Sequence, residues 1–488
     1  MTVSFDTISP DLRTLSNHGE FNTSRAVQGT NRRRNKILVL GRRLSTGTVA
    51  ANVPKQILSA DQAEGYFGPG AEISEMIRAA KKANSQTEMW ACASDPLSGG
   101  TAGTMTITIT GPATADGTIQ LRIAGRFYVP VAVTSDDAQN AIATAIDTAI
   151  KAHPEYKRMP FTSAAATNVV TLTMRWKGID VADARVNYYS SEQTPAGVTV
   201  AIAAGVSGAG NPDVTAVLTA IGDVIQYDSI VMPYTDATNL TALETELKDR
   251  WGGMRQIDGV AFSAVTGSFG TATTLGTSRN SAFLVLMAAN TSPTPSWIWA
   301  AVVAAAEAGE SDPAMPRHGL ALPGILPATP AEQWGETDRN LLLHSGCAVH
   351  VVDGSGNVST DTMITTYQTN ALDVPDESLL KIETVRTAGF IRYDGNTSVS
   401  LSFPRYKLSE DGPKLPAGQP IMTPNLMRAF LGSKYDQWTA LGIVQGVGKQ
   451  SFMDEMVMGI SGNRLAAQAG PTFMRQFRGL DIQWAFIV

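Results

Sequence analysis

The chain has 488 residues, 43% of them hydrophobic and 17% charged, with a formal net charge of -6. That length is enough for about three domains, and the composition supports a sizeable core, which excludes wholesale disorder. A mildly acidic balance excludes a general nucleic-acid binder, whose mark is a strong basic excess.

The chain opens MTVSFDTISPD, with neither the basic start nor the apolar stretch of a signal peptide, so none is expected. Met1 to Asn35 is polar and irregular, carries Pro10, Gly19, Gly29 and Arg32-Arg33-Arg34, and reads as an arm. The cluster Arg32, Arg33, Arg34, Lys36, Arg42 and Arg43 reads as a solvated or subunit-facing patch. Lys36 to Leu40 (KILVL) reads as a buried strand, Ser59 with Gln62 as a helix start, Glu72 to Ala83 as an amphipathic helix and Glu88 to Ala93 as a second strand.

Composition then shifts. Between Gly99 and Gly210 the sequence is rich in β signals, beginning with the strict alternation TMTITIT at Thr104 to Thr110. Further strands are expected at Thr118 to Ile123, Phe127 to Val133, Val169 to Trp176 and Val198 to Ala203, with one helix capped by Ser135. Gly-rich joints at both ends (Gly99, Gly100 and Gly103; Gly205, Gly208 and Gly210) suggest a domain inserted through flexible links into the surrounding one.

The α/β pattern resumes with a helix over Pro212 to Gly222, a strand at Ser229 to Met232, a helix over Asn239 to Trp251 and a strand at Gly259 to Val265. Trp297 to Ala306 is the longest apolar run. It falls short of the ~20 residues a bilayer needs and reads as a core helix, so membrane insertion is not expected. Gly346 to Tyr367 reads as a hairpin turning at Asp353-Gly354-Ser355-Gly356, Asp376 to Gly389 as a helix, and Thr423-Pro424 as the start of a helix reaching Leu441. At the end, Leu480, Ile482, Trp484, Phe486 and Val488 alternate with Asp481, Gln483, Ala485 and Ile487, a strand with one strongly apolar face.

The fold class is therefore α/β, of mixed α+β character. The expected parts are an arm at 1–35, an α/β domain at 36–97 and 211–335, an inserted β-rich domain at 98–210, a C-terminal domain at 336–470, and a linker with a terminal strand at 471–488.

No catalytic constellation emerges. His344 and His350 flank Cys347, but the spacing matches no standard zinc site. His350, Asp353 and Ser355 resemble a triad only in residue type, since no G-x-S-x-G elbow is present and Asp-Gly-Ser-Gly is first of all a turn. No phosphate-binding glycine motif appears. The expectation is a protein without enzymatic activity, cofactor or metal.

The stretch from Leu342 to Tyr393, with ITTYQTNA followed by Pro, Asp and a helix, together with IMTPNLMRAFLGSKYDQWTALGIVQ at Ile421 to Gln445, resembles the contractile tail sheath proteins of Mu-like bacteriophages. The arm with FNTSRA, the insertion and the terminal strand follow in the same order. The resemblance spans nearly the whole chain and is weakest in the insertion. It implies a multidomain sheath architecture: homo-hexameric rings stacked helically around a tail tube, on a baseplate and under a terminator protein, assembled in the host cytoplasm as part of the virion tail. It also implies contraction that drives the tube through the host envelope, and terminal strands exchanged between subunits. Leu480, Ile482, Trp484, Phe486 and Val488 are the expected exchanged face, pairing on the Gly346 to Tyr367 hairpin together with another subunit's arm around Arg13 to Ser24. Arg428, Lys434 and Asp436 are the expected tube-facing residues. The sheath of an R-type bacteriocin or another injection device is the alternative, with a subtilisin-like hydrolase behind it.

Overall fold

The computed structural model describes residues 29–179, 183–188, 194–412 and 419–485; the readings placed on Arg13 to Ser24 and on Phe486 and Val488 lie outside them. The chain divides into two compact units. The larger holds Arg34–Gly389 with the tail from Gln476 onward, and the smaller holds Phe390–Arg475 with the chain up to Arg33.

The larger unit is built on a six-stranded sheet ordered β13-β12-β11-β1-β3-β2. Its strands are β1 (Lys36–Arg42), β2 (Lys55–Ile57), β3 (Glu88–Ser94), β11 (Ser229–Val231), β12 (Val260–Val265) and β13 (Leu284–Ala288), numbered in chain order. All pair in parallel except β2, which closes one edge antiparallel to β3. Parallel sheets are covered on both faces, so their strands are continuously apolar instead of alternating. Thus β12 and β13 are buried throughout. Helix α1 (Ala60–Phe67) starts at Ser59, whose hydroxyl accepts from the Gln62 N–H. Helix α2 (Glu72–Ala83) packs on β1 and on α7 (Ser296–Ala308), which in turn lies on β11, β12 and β1. Helix α7 is buried along nearly its whole length, including Trp297 and Trp299. That is why its sequence is apolar all round. Helices α4 (Thr215–Ile221), α5 (Ala237–Trp251), α6 (Phe269–Thr277) and α8 (Glu336–His344) complete the unit.

The inserted segment forms two antiparallel sheets. One is ordered β10-β4-β8-β7 and the other β6-β5-β9. Their strands are β4 (Thr104–Thr110), β5 (Gly117–Ile123), β6 (Phe127–Val133), β7 (Phe161–Ala166), β8 (Val169–Met174), β9 (Val186–Tyr188) and β10 (Thr199–Ala204). Helix α3 (Gln139–Ala152) packs on strands of both sheets through Ile142, Ile146 and Ile150. Ser135 does not cap it. The Ser135 N–H donates to Asp116, and Asp137 accepts from the backbone and hydroxyl of Thr134, so Ser-Asp-Asp forms a turn ahead of a helix whose cap is Ala138.

The glycine joints are not flexible links. Thr101 and Ala209 bridge the entering and leaving chains, and a Cβ on Gly208 would collide with the Gly178 carbonyl. The insertion is seated on the body by Trp176 edge-on to Trp297 at 5.7 Å, by Arg126 on Glu75 and by Ser296 donating to Asp183 at 2.7 Å. Arg42, expected in a solvated basic patch, is fully buried. It reaches Glu72, the Lys177 carbonyl and Asn211, tying the first strand to the loop after β8 and to the exit from the insertion. Arg43 pairs with Asp95 at 2.7 Å.

The units do not divide at residue 335, where a boundary was expected. Strand β14 (Val349–Val352) continues from a bridge between Met287 and Ala348 at the β13 edge and pairs with β15 (Val358–Thr362). Leu342 and Cys347 pack with Val265 and Leu286, so residues 336–389 belong to the main sheet's unit. Helix α9 (Ile382–Ser402) begins later than Asp376, because Asp376 instead accepts from the Ser378 N–H and the Tyr367 hydroxyl.

The smaller unit contains the remainder of α9, a short parallel pair β16 (Lys407–Leu408) and β17 (Ile421–Met422), α10 (Pro424–Ala440), α11 (Lys449–Asp454) and the hairpin β18 (Val457–Ser461) with β19 (Arg464–Gln468). Thr423 caps α10 by accepting from the Leu426 N–H, with Pro424 in the first turn. Its core is Tyr435, Trp438, Ile443, Val444, Phe452 and Met456.

Candidate assembly interface

The groups that first suggest chemistry are structural. His350 is buried, its Nδ1 is 3.0 Å from the Ala288 carbonyl, and its ring lies 4.7 Å from that of Trp299. Burial pushes its pKa down to about 4, so it is neutral at physiological pH. Asp353 accepts from the N–H groups of Ser355 and Asn357, forming the hairpin turn and no triad. Cys347 is buried with its thiol donating to the Ala272 carbonyl at 3.3 Å. Burial pushes both Cys347 and Cys92 up to about 12. Among the described residues no group of three or more His, Cys, Asp or Glu side chains could hold a metal ion, and no helix is long and apolar enough to cross a membrane.

What stands out is unpaired backbone. The chain after α11 passes the smaller unit's core once: Val444 bridges Phe473, Gln445 N–H donates to Thr472 and Met474 N–H to Ile443. Beyond Gln476 the described tail enters no ladder. Leu480 is 69% exposed, Ile482 52% and Trp484 84%. An extended segment of this kind exposes both a row of backbone donors and acceptors and a large apolar face.

The smaller unit holds a complementary surface. Hairpin β18–β19 turns through Gly462-Asn463, with Gly462 at φ 56. Among the described residues, no backbone group of 457–468 bonds outside the hairpin. Met458, Ile460 and Leu465 are half-buried on one face, and the flanking positions are exposed. This element was missed from sequence, although a two-residue Gly-Asn loop between extended runs was the available signal.

The expected acceptor, hairpin β14–β15, is already occupied on one side. Gly319, Leu320 and Leu322 bond to Thr360 and Val358 along the outer edge of β15, and β14 is continued from β13. A strand docking on the β15 edge would have to displace the 319–322 segment, whereas the β14 side is bridged to β13, among the described residues, only at Ala348.

Of the residues expected to face a tube, Lys434 does not lie on a solvated face. It is 3% exposed, and its Nζ lies 2.7 Å from Asp394. Asp394 also accepts from the Trp438 indole at 2.7 Å and the Asn31 N–H at 2.6 Å, so this ion pair fastens the end of the arm to α9 and α10. Arg428 is half-buried and donates to the Met456 carbonyl. Asp436 is exposed and pairs with Lys449 at 2.6 Å.

The family profile described as phage tail sheath protein central domain matches residues 207–366. A Mu-like prophage tail sheath protein of Haemophilus influenzae is 34% identical over 449 residues, 91% of each chain. Among solved structures, a sheath tail protein of Desulfitobacterium hafniense is similar at 12% identity and a TM-score of 0.49, covering 94% of this chain and 96% of that one. The sheath of an extracellular contractile injection system, solved in its contracted state, is similar at 9% identity and a TM-score of 0.48, covering 99% and 98%.

Proposed function

The chain belongs to the tail sheath family of Mu-like phages, and from that premise we propose that it works as a polymer whose subunits are joined by exchange of the C-terminal strand. The tail Leu480 to Val488 of one subunit adds to an outer edge of β18–β19 in a neighbour. The addition supplies backbone partners to both edges and covers the apolar face of the tail, the β-augmentation mode of peptide recognition. The observation that carries this reading is that, among the described residues, an exposed apolar tail and a hairpin without outside backbone bonds occur in one chain.

In this reading the subunits close into hexameric rings that stack helically around a tail tube, on a baseplate and beneath a terminator, after assembly in the host cytoplasm. Contraction is a second packing of the same rigid units at lower free energy, with the exchanged strands keeping the mesh connected. The protein is a structural subunit and not an enzyme. Arg428 and Asp436 are its tube-facing candidates, whereas Lys434 acts inside the smaller unit. The insertion faces outward, held by its seat on α2 and α7 and not by flexible joints.

Negative-stain electron microscopy of the purified full-length protein tests this. Rings or tubes are the expected result. Monodisperse single subunits at all concentrations would contradict it.

A further inference from the structure

Between the insertion and the helices that seat it lies a cavity of ≈ 710 Å³, within the range of about 300–1,000 Å³ typical of small-molecule sites. Its walls are apolar: Phe127 and Trp176 from the insertion, Trp297 and Ile298 from α7, and Ala79 from α2. Its charges are lopsided. Arg78, Lys81, Lys82 and Arg126 line it against a single carboxylate, Glu75. Arg78 is committed to Asp61 and Glu64, and Arg126 to Glu75 and Glu155. Lys81 and Lys82 have no carboxylate partner among the described residues.

Two further features mark the place. Buried polar atoms without hydrogen-bond partners are uncommon in a finished seam, yet Glu75 Oε1, Arg78 Nε and Trp176 Nε1 all belong to residues lining this cavity. Burial, opposed by Arg126 and Arg78, also pushes the Glu75 pKa up to about 7, so near neutrality the one negative charge is partly titrated away.

We propose that this cavity binds an anionic amphiphile, a medium-chain alkyl carboxylate, with its chain against Trp297, Ile298 and Phe127 and its head group at Lys81 and Lys82. A cationic ligand would meet four like charges. A neutral one would leave the two lysines at the rim without a counter-ion. Because the walls come from both the insertion and the body, the occupant bridges them and holds the insertion on its seat.

The test titrates full-length protein with decanoate below its micellar concentration and with 1-decanol, by calorimetry and by tryptophan emission. One site is expected, with decanoate binding at least tenfold more tightly than decanol. A hundredfold excess over Kd should raise the melting midpoint by roughly 3 °C. The double variant Lys81→Gln, Lys82→Gln should lose the preference for the acid while still binding the alcohol. Ala79→Trp, which fills the cavity, should weaken both by at least tenfold with an unchanged circular dichroism spectrum. Equal affinities for acid and alcohol, or decanoate binding unaffected by the lysine substitutions, would overturn the proposal. So would an Ala79→Trp protein that binds both as the parent does. Should Ala79→Trp not fold, the solvent-facing lysine variant decides.

Discussion

Truncation after Gly479 is expected to abolish polymerisation while leaving a soluble, folded monomer. The described tail beyond Gln476 contributes no ladder to its own chain, and Leu480, Ile482 and Trp484 are exposed. Its removal therefore takes little from the monomer, and the melting midpoint should move by no more than about 2 °C. In a polymer the same side chains are covered. Burying each is worth roughly 1.5–3 kcal/mol, to which the ladder adds and from which ordering of the tail subtracts. A net loss of about 3 kcal/mol per contact raises the critical concentration at least about a hundredfold. Analytical ultracentrifugation of the truncated and full-length proteins reads this directly. An unfolded or insoluble truncated chain would mean that the strand closes its own unit's core.

The second large effect lies far from any interface. Glu307→Ala is expected to destabilise the larger unit by about 3–5 kcal/mol, the usual cost of removing one partner from a buried ion pair. Glu307, at the end of α7, is 1% exposed. Arg386 grips it through two nitrogens at 2.9 and 2.6 Å, Arg317 stands at 3.5 Å, and Ser229 donates at 3.0 Å. Arg386 also donates to the Asp228 carbonyl. One carboxylate thus joins α7, β11, the 312–317 loop and the start of α9, and its loss removes the carboxylate paired with the buried Arg317 and the largely buried Arg386. Burial alone would raise the Glu307 pKa, but Arg386 and Arg317 overcome it and hold the carboxyl below its ordinary value. A depressed acid contributes stability that is present above its unfolded pKa and is lost as pH falls through the folded value. Denaturant titration should therefore show the parent losing part of its advantage over Glu307→Ala on acidification below about pH 4. A variant as stable as the parent at neutral pH would contradict this account of the unit's core.

These two sites mark the limits of what the sequence discloses. Where signals are local, the chain is legible: KILVL as a buried strand, the α2 stripe, the TMTITIT alternation and the Thr423-Pro424 start all appear as read. The family was legible too, through the Leu342 to Tyr393 and Ile421 to Gln445 stretches. Long-range pairing was not. Glu307 looks like the polar end of an apolar run, and only the fold brings Arg386 to it. Lys434 looks solvated on a helical wheel, and only Asp394, Trp438 and Asn31 make it an interior residue. The division of the compact units at Gly389 was not legible because the β13 edge meets Ala348, just ahead of β14, through a single bridge with no sequence signature. Helix α6, with Gly270, Gly276 and several threonines, has weak intrinsic propensity and is held by packing. Hairpin β18–β19 lacks strong alternation because it is mostly exposed, and a strand awaiting a partner is expected to look that way.

The central claim is that the tail of one subunit lies on β18–β19 of another. Two preparations test it, one carrying Ile482→Cys and the other Ala467→Cys or Gly459→Cys on the hairpin strands. Cys92 and Cys347 are buried with thiols pushed up to about 12, so they compete little for a maleimide reagent at neutral pH. Co-assembled and treated with a short bis-maleimide, the mixture should yield a crosslinked dimer containing one chain of each kind, absent when either preparation is treated alone or when the mixture is kept below its assembly concentration. No such dimer with either hairpin position, together with efficient crosslinking of Ile482→Cys to Val352→Cys on β14, would contradict the claim.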